Sequence, residues 1–284
     1  MEVIVGKYAG FCGGVKSAVE KTEKAVIENN GMYCLGEVVH NRQVIENLEA
    51  KGLKIVDSID EVPDGSKMII RAHGEREEIY KIAEQRNIEV IDTTCNIVKS
   101  IHNKVKSASK DSFIIIIGEK EHAETIGTKG FAGENYYVIE EEADILDAYM
   151  EYEKTNLGQV YVCSQTTFNL KKFDELAEEI KHNFYEAEVI IDNTICNATE
   201  TRQNECKELA KNVDAMIVIG GKNSANTKKL VDISEEVLNK VFWIQTLDNL
   251  KAEDLSKISK MGIMAGASTP SYIIDDVKSY LERI

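Results

Sequence analysis

The sequence has little positive charge for its length of 284 residues. Its 49 Asp and Glu outnumber 34 Lys and Arg, which gives a formal net charge of −15. Nucleic-acid backbones and anionic membranes both attract clustered Lys and Arg, so this composition argues against either as a partner. An anionic ligand must therefore be bound by local groups and not by the charge of the whole surface.

Long apolar runs and a leader-like beginning are also absent. The first residues, Met1 to Gly6, contain no basic stretch followed by an apolar one, as a signal peptide does. The longest aliphatic run, Phe113 to Ile117, is far too short to span a bilayer. We therefore expect a cytoplasmic protein.

Closely spaced cysteine pairs are missing as well. The six cysteines include no C-x-x-C pair, which is the spacing typical of structural zinc sites. In a reducing compartment they are expected to be thiols or metal ligands and not disulfides. Cys34 and Cys163, in apolar strands, and Cys206, late in a helical stretch, are predicted to be small buried hydrophobic side chains.

The other three cysteines occupy equivalent positions in a threefold internal repeat. "VIDTTCN", which contains Cys95, and "IIDNTICN", which contains Cys196, each indicate a strand, a polar turn and a cysteine before a helix. The opening segment follows the same plan around Cys12. From these cysteines the chain runs 24, 23 and 24 positions to glycines that end the next strands, which are Gly36, Gly118 and Gly220.

Alternating strands and helices predict parallel sheets with crossover helices. We predict an α/β fold of three similar parallel-sheet lobes in a pseudo-threefold (trefoil) arrangement around a shared central ion or cluster. The predicted lobes are residues 13–95, 96–195 and 196–284. The N-terminal strand within residues 1–12 is expected to complete the third lobe, because the repeat spacing closes when the chain is read as a circle.

Three thiolates at one centre predict a metal site with an open position. Ligands of parallel sheets bind beyond the carboxyl ends of the strands, where Cys12, Cys95 and Cys196 are expected to lie. They could hold zinc with a fourth ligand, or three corners of an iron–sulfur cluster. A [4Fe–4S] cluster with three cysteine ligands leaves one iron to bind substrate, and open coordination distinguishes catalytic metals from structural ones.

Polar residues at the same strand ends predict an anion pocket. "GEVVHNR", "GEKEHAE" and "GGKNSAN" place a histidine or serine in one register, and the loops after the third strands carry further polar residues. Hydroxyls, amides and helix N-termini beside histidines can bind phosphate. The candidate pocket residues are His40, His73, His122, Gln165, Thr166, Ser224, Asn226 and Ser268.

Glu124, two residues after His122, would be a carboxylate near a metal and an anion. Burial and nearby negative charge would raise its pKa and make it a proton donor. Thr166 could hydrogen-bond a substrate hydroxyl or relay a proton, although a turn or a helix cap would use the same hydroxyl. The remaining histidines, His102 and His182, fall in helical stretches and are predicted to be surface residues.

Eight motifs in order resemble those of the LytB (IspH) family of 4-hydroxy-3-methylbut-2-enyl diphosphate reductases. They are "AGFCGGV", "GEVVHN", "RAHG", "DTTC", "EHAET", "SQTT", "KNSAN" and "AGASTP". The resemblance implies the last step of the methylerythritol phosphate route to isoprenoids. There, two electrons and two protons remove an allylic hydroxyl, giving isopentenyl and dimethylallyl diphosphate.

The resemblance also implies the cofactor and partners. It implies a [4Fe–4S] cluster held by Cys12, Cys95 and Cys196, with the substrate hydroxyl at the fourth iron. A ferredoxin or flavodoxin is the expected electron donor. No nucleic-acid or membrane partner is expected.

Residue by residue, the resemblance implies Glu124 as the centre of proton delivery, with His122, Thr166 and Gln165 close to the reacting end of the substrate. It places His40, His73, His122, Ser224, Asn226 and Ser268 around the diphosphate. Ala225 stands where the family commonly has a second serine, so one hydroxyl is missing and only its backbone N–H remains.

Two other readings stay open on the sequence. A quinolinate-synthase-like dehydratase also gathers three cysteines from three similar domains, but it would need a dicarboxylate site. A non-catalytic iron–sulfur sensor or electron carrier would normally use four protein ligands and have no anion pocket.

Overall fold

The computed structural model describes residues 1–251 and 254–283. Ile284, the predicted end of the third lobe, lies outside these residues. Within them, strands and helices alternate, and a 3₁₀ helix (Ile59–Glu61) separates the third strand from the fourth. The chain opens with β1 (Glu2–Val5) and continues with α1 (Gly13–Glu28), β2 (Met32–Leu35), α2 (Arg42–Ala50), β3 (Leu53–Val56), β4 (Lys67–Ile70), α3 (Glu77–Gln85) and β5 (Glu89–Asp92).

The same succession of elements occurs twice more. The second stretch contains α4 (Asn96–Ala108), β6 (Phe113–Ile117), α5 (Ala123–Lys129), β7 (Tyr136–Ile139), α6 (Asp144–Tyr152), β8 (Gln159–Ser164), α7 (Leu170–Asn183) and β9 (Glu188–Ile191). The third contains α8 (Asn197–Ala210), β10 (Ala215–Ile219), α9 (Ala225–Glu235), β11 (Val241–Ile244), α10 (Leu247–Leu250), β12 (Lys260–Ala265) and α11 (Ser271–Leu281).

Among the described residues the strands form three four-stranded parallel sheets. Their orders are β3-β2-β4-β5, β7-β6-β8-β9 and β11-β10-β12-β1, so the three sheets share one topology. In the last sheet the N-terminal strand pairs with β12, with Val3 opposite Met261. The predicted α/β fold of three similar parallel sheets is confirmed.

These sheets are distributed over two compact units. One unit comprises residues 1–16, 39–47 and the chain from 197 onward, and it contains the β11-β10-β12-β1 sheet. The other comprises residues 17–38 and 48–196 and contains the other two sheets. The predicted lobe boundaries and the trefoil arrangement stay predictions.

The central strands are buried on both faces, as expected for parallel sheets. In β10, Ile217 and Ile219 pack into one apolar cluster, while Met216 and Val218 pack into another on the opposite face. All five residues of β6 are buried in the same way. The carboxyl ends of these strands are therefore held by side-chain packing on both faces of the sheet.

The burial of His102 corrects the sequence analysis. This residue lies on the core face of α4, is 4% exposed and stacks on Phe131 with ring centroids 4.4 Å apart. Burial lowers its pKa to about 4. A helical position alone does not distinguish the inner face from the outer one, and the sequence analysis placed His102 on the wrong face. His182 is exposed, as predicted.

No helix among the described residues is long and apolar enough to cross a bilayer.

Candidate functional site

The three cysteines of the repeat have equivalent backbone surroundings. Each one immediately precedes the first residue of a helix, which is α1, α4 or α8. Each cysteine N–H donates to the carbonyl of the second residue after the sheet's third strand. These bonds run from Cys12 to Ala267 (3.3 Å), from Cys95 to Ala72 (3.0 Å) and from Cys196 to Thr166 (3.0 Å).

Exposure separates these cysteines from the other three. Cys12, Cys95 and Cys196 are half-buried, and none of the six cysteines forms a disulfide. Cys34, Cys163 and Cys206 are 0% exposed, which confirms that they are buried hydrophobic side chains. Burial raises the pKa of Cys34 to about 12 and that of Cys206 to about 11, so these buried thiols stay protonated.

The chemistry of the three cysteines bears on which metal group they fit. Among the residues that the structure describes, no three His, Cys, Asp or Glu side chains are placed to hold one ion. Cysteine sulfurs are the usual ligands of iron–sulfur clusters, and the equivalent positions of Cys12, Cys95 and Cys196 before helices suit that ligand set.

Glu124 is a buried carboxylate in the unit formed by residues 17–38 and 48–196. It lies in the first turn of α5, is 2% exposed and directs both oxygens at Thr166. Oε1 accepts the Thr166 backbone N–H at 2.6 Å, and Oε2 lies 2.7 Å from the Thr166 hydroxyl. Burial raises its pKa to about 7, although these hydrogen bonds oppose the shift. A group with this pKa can give up and regain a proton near neutral pH.

This raised pKa predicts how Glu124 affects stability. The pKa lies above the ordinary value of 4.5, so the folded chain retains a proton that the unfolded chain releases between these pH values. The group's contribution to stability is full below about pH 4.5 and is lost as the pH rises through about 7. Glu124→Gln stays neutral and should be more stable than the wild type above that pH, by up to about 3 kcal/mol.

Urea unfolding of both proteins at about pH 5 and about pH 8.5 checks this prediction. The advantage of Glu124→Gln should appear only at the higher pH. An advantage of equal size at both pH values would contradict a titrating, buried Glu124.

His122 lies beside Glu124, and His73 contacts His122. His122 caps α5, and its Nδ1 accepts the backbone N–H of Glu124 at 3.1 Å. In a neutral imidazole this places the proton on Nε2, which is then a donor. The His73 ring meets the His122 ring edge to face, with centroids 5.6 Å apart. The structure thus brings together three residues that the sequence placed in two separate motifs.

Gln165 is buried and holds the neighbouring loop. Its Oε1 accepts the Glu119 N–H at 3.0 Å, and its Nε2 donates to the Thr167 hydroxyl at 2.9 Å. These bonds fix the strand-end loop in which Thr166 faces Glu124. Gln165 therefore holds the backbone on either side of the Glu124–Thr166 pair, through Glu119 and Thr167.

A second polar group lies in the unit that contains residues 39–47 and the chain from 197 onward. Ser224 caps α9, and its Oγ accepts the Thr227 N–H at 3.3 Å. The Ser268 hydroxyl donates to the His40 carbonyl at 3.0 Å. Ala225, the first residue of α9, is buried.

Asn226 has unsatisfied hydrogen-bonding groups. It is 4% exposed, and neither Oδ1 nor Nδ2 has a partner in the structure. A buried amide without partners costs about 1–3 kcal/mol. Such an arrangement is expected where a ligand supplies the missing partners.

His40, His122 and Ser224 were predicted to occupy equivalent positions, but the position of His40 relative to its helix differs by one residue. His122 and Ser224 are the N-caps of α5 and α9, but α2 begins two residues after His40. Asn41 takes the capping role there, since its Oδ1 accepts the Val44 N–H at 3.2 Å.

Sequence reasoning missed Arg202 and Glu205. Both lie in α8 and hydrogen-bond the backbone of the loop before Cys12. The sequence shows only that Arg202 lies within a predicted helix, and arginines are common on the exposed faces of helices. The sequence does not indicate that this arginine is buried.

Comparisons with known proteins agree with one another. A family model described as "LytB protein" matches residues 3–282. The chain is 40% identical to 4-hydroxy-3-methylbut-2-enyl diphosphate reductase of Clostridioides difficile (strain 630), covering 100% of each chain. It is 39% identical to the protein of the same name from Aquifex aeolicus, over 100% of this chain and 97% of that one.

Two solved structures are also similar. One is the E-1-hydroxy-2-methyl-but-2-enyl-4-diphosphate reductase of Plasmodium falciparum, with a TM-score of 0.89 and 29% identity over 99% of this chain and 87% of that one. The other is described as (E)-4-hydroxy-3-methyl-but-2-enyl diphosphate reductase, the terminal enzyme of the non-mevalonate pathway. It has a TM-score of 0.72 and 38% identity over 100% of each chain.

Proposed function

The chain belongs to the LytB family, and on that basis we propose that it reduces 4-hydroxy-3-methylbut-2-enyl diphosphate to isopentenyl diphosphate and dimethylallyl diphosphate. This is the terminal step of the non-mevalonate route, and it makes the protein an oxidoreductase. Two electrons and two protons enter, and the allylic hydroxyl leaves as water.

The observation that carries this proposal is the equivalent placement of Cys12, Cys95 and Cys196. All three are half-buried thiols at the N-terminus of a helix. We assign them as the ligands of one [4Fe–4S] cluster. When bound, such a cluster supplies electrons and, at the iron without a cysteine, a Lewis acid for the substrate hydroxyl.

Proton delivery is assigned to Glu124 and Thr166. With a pKa of about 7, Glu124 carries a proton in a large fraction of molecules at neutral pH. Its Oε2 is 2.7 Å from the Thr166 hydroxyl, so a proton donated to that oxygen can be passed on as the threonine releases its own. The chain thus moves a proton to the leaving hydroxyl without exposing Glu124 to water.

Diphosphate binding is assigned to uncharged and imidazole donors. The candidates in the unit of residues 39–47 and 197 onward are His40, Ser224, the Ala225 backbone N–H, Asn226 and Ser268. The cap uses Ser224 Oγ as an acceptor, so its O–H can donate to a phosphate oxygen. We add His73 and His122 from the other unit, as the family pattern implies. Gln165 is assigned to the substrate-binding set near the substrate hydroxyl.

Asn226→Ala should separate substrate binding from stability. The buried amide has no partner in the structure, so its loss should leave the melting temperature unchanged or raise it slightly. A hydrogen bond to a charged group contributes about 1.5–3 kcal/mol, so KM should rise about 10- to 100-fold. Thermal melts and steady-state kinetics check both effects, and a strongly lowered melting temperature with an unchanged KM would contradict the assignment.

A ferredoxin or flavodoxin is the proposed electron donor, and the cytoplasm the proposed location. The carrier proteins of these classes are small and soluble, and a donor of either class delivers the two electrons one at a time.

The direct test is turnover by protein purified without oxygen. With reduced methyl viologen as donor, the proposal predicts consumption of 4-hydroxy-3-methylbut-2-enyl diphosphate and the appearance of both product diphosphates. A sensor or electron carrier would bind iron and sulfide but give no product. A quinolinate-synthase-like enzyme would instead act on a dicarboxylate precursor.

A further inference from the structure

The three equivalent cysteine loops differ at the residue two positions before the cysteine. Thr93 and Thr194 occupy this position before Cys95 and Cys196, and Gly10 occupies it before Cys12. Both threonines are buried. The first two loops therefore carry a side-chain hydroxyl at a point where the third has no side chain.

Each threonine hydroxyl ties its loop to the neighbouring strand. Thr93 Oγ1 donates to the carbonyl of Ile70, the last residue of β4, at 2.6 Å. Thr194 Oγ1 donates to the carbonyl of Ser164, the last residue of β8, also at 2.6 Å. These buried bonds fix the backbone that leads into Cys95 and Cys196.

Gly10 cannot carry such a bond. Its φ of +93° lies in the region that favours glycine, and a Cβ there would be 2.9 Å from Ile274 Cδ1. A threonine at this position would be strained and would clash. The Cys12 loop must be held by groups from elsewhere in the fold.

Arg202 and Glu205 of α8 supply those groups. Arg202 is 3% exposed, and its guanidinium donates to the carbonyls of Tyr8 and Gly10, each at 2.8 Å. The Glu205 carboxylate accepts the N–H groups of Lys7 at 2.7 Å and Tyr8 at 2.9 Å. Charged groups make stronger hydrogen bonds than a hydroxyl does, and the planar fork of arginine suits two adjacent acceptors.

We propose that Arg202 and Glu205 are positioning residues that hold Cys12 in place as a ligand, replacing the threonine used in the other two loops. The proposal rests on the proposed function in one respect, which is that Cys12 ligates a cluster. Burying a guanidinium is costly unless its donors are used, and Arg202 uses two of them on the carbonyls of Tyr8 and Gly10 in the loop that leads to Cys12. The expected consequence of losing Arg202 is a mobile Cys12 loop and a cluster that is lost more readily.

The test compares Arg202→Met with Arg86→Met. Arg86 is a matched control, because its guanidinium also donates to two backbone carbonyls of one loop, those of Ile59 at 2.8 Å and Val62 at 2.6 Å. Cluster-loaded proteins, prepared without oxygen, are mixed with an iron chelator, and iron release is followed with time. Hydrogen exchange of the peptide spanning residues 6–12 is measured in the same samples.

Arg202→Met should lose iron about 10- to 100-fold faster than the wild type, as is typical when an outer partner of a metal ligand is removed. Exchange in residues 6–12 should also speed up, while exchange around Thr93 and Thr194 stays unchanged. Arg86→Met should lower the melting temperature but release iron at the wild-type rate. If Arg202→Met fails to fold, Arg202→Lys and Glu205→Gln carry the test, with smaller accelerations expected.

Two results separate the possible failures. Wild-type release rates in Arg202→Met, or in both substitute variants, would overturn the positioning role while leaving the reductase proposal intact. A wild-type protein that binds no iron would overturn the proposed function. In that case faster hydrogen exchange of residues 6–12 in Arg202→Met would still establish that Arg202 holds the Cys12 loop in place. Unchanged exchange would overturn that role.

Discussion

Single replacement of Cys12, Cys95 or Cys196 by alanine is expected to abolish both cluster binding and turnover. The three thiols are the half-buried members of the cysteine set and share one backbone environment. In the proposed assignment, with three protein ligands and one open iron, the loss of any one ligand leaves only two attachments for the cluster. Iron and acid-labile sulfide per chain, and product formation with reduced methyl viologen, measure the effect.

Cys34→Ala is the matched control for this prediction. Cys34 is 0% exposed in β2, and its removal deletes one buried sulfur at a cost of about 1 kcal/mol. The variant should bind a full complement of iron and retain its activity. A Cys95→Ala protein with normal iron content, or a Cys34→Ala protein without iron, would show that the ligands have been assigned wrongly.

Glu124→Gln should lower kcat by about 10²- to 10⁴-fold, the usual contribution of a positioned general acid. The substitution keeps the local geometry, because the amide oxygen can accept the Thr166 N–H and the amide nitrogen can donate to the Thr166 hydroxyl. What is lost is the transferable proton. Cluster content and KM should therefore stay near the wild-type values, and the loss should appear in kcat.

The pH profile gives an independent readout of the same residue. Burial holds the pKa of Glu124 at about 7, and the proposed role requires the protonated form. The wild-type kcat should therefore fall as the pH rises through this value. The residual activity of Glu124→Gln should lack that descending limb. A variant with full kcat, or with an unchanged pH profile, would assign proton delivery to another group.

Much of the fold was predictable because it repeats. Residues such as Ile115 and Ile217 lie in short apolar runs that end in glycine, and short runs rich in β-branched residues favour strands buried on both faces. The repeat then placed Cys12, Cys95 and Cys196 at equivalent strand ends. The local hydrophobic pattern and the overall topology agree here, so the sequence was sufficient to predict the three sheets and the equivalent positions of the cysteines.

The parts that were not predictable depend on which face of a helix is buried and on contacts distant in sequence. His102 was predicted at the surface, but α4 turns it inward against Phe131. Arg202 lies 192 positions from its acceptor Gly10, and no pattern in either segment indicates the pairing. The unsatisfied amide of Asn226 likewise becomes visible only when its surroundings are known.

The measurement that tests the central claim most directly is a Mössbauer spectrum of iron-57-loaded protein, recorded before and after addition of 4-hydroxy-3-methylbut-2-enyl diphosphate. The account predicts a four-iron cluster in which one iron differs from the other three and changes its signal when the substrate binds. A cluster with four equivalent sites that ignore the substrate, or a protein without iron, would contradict it.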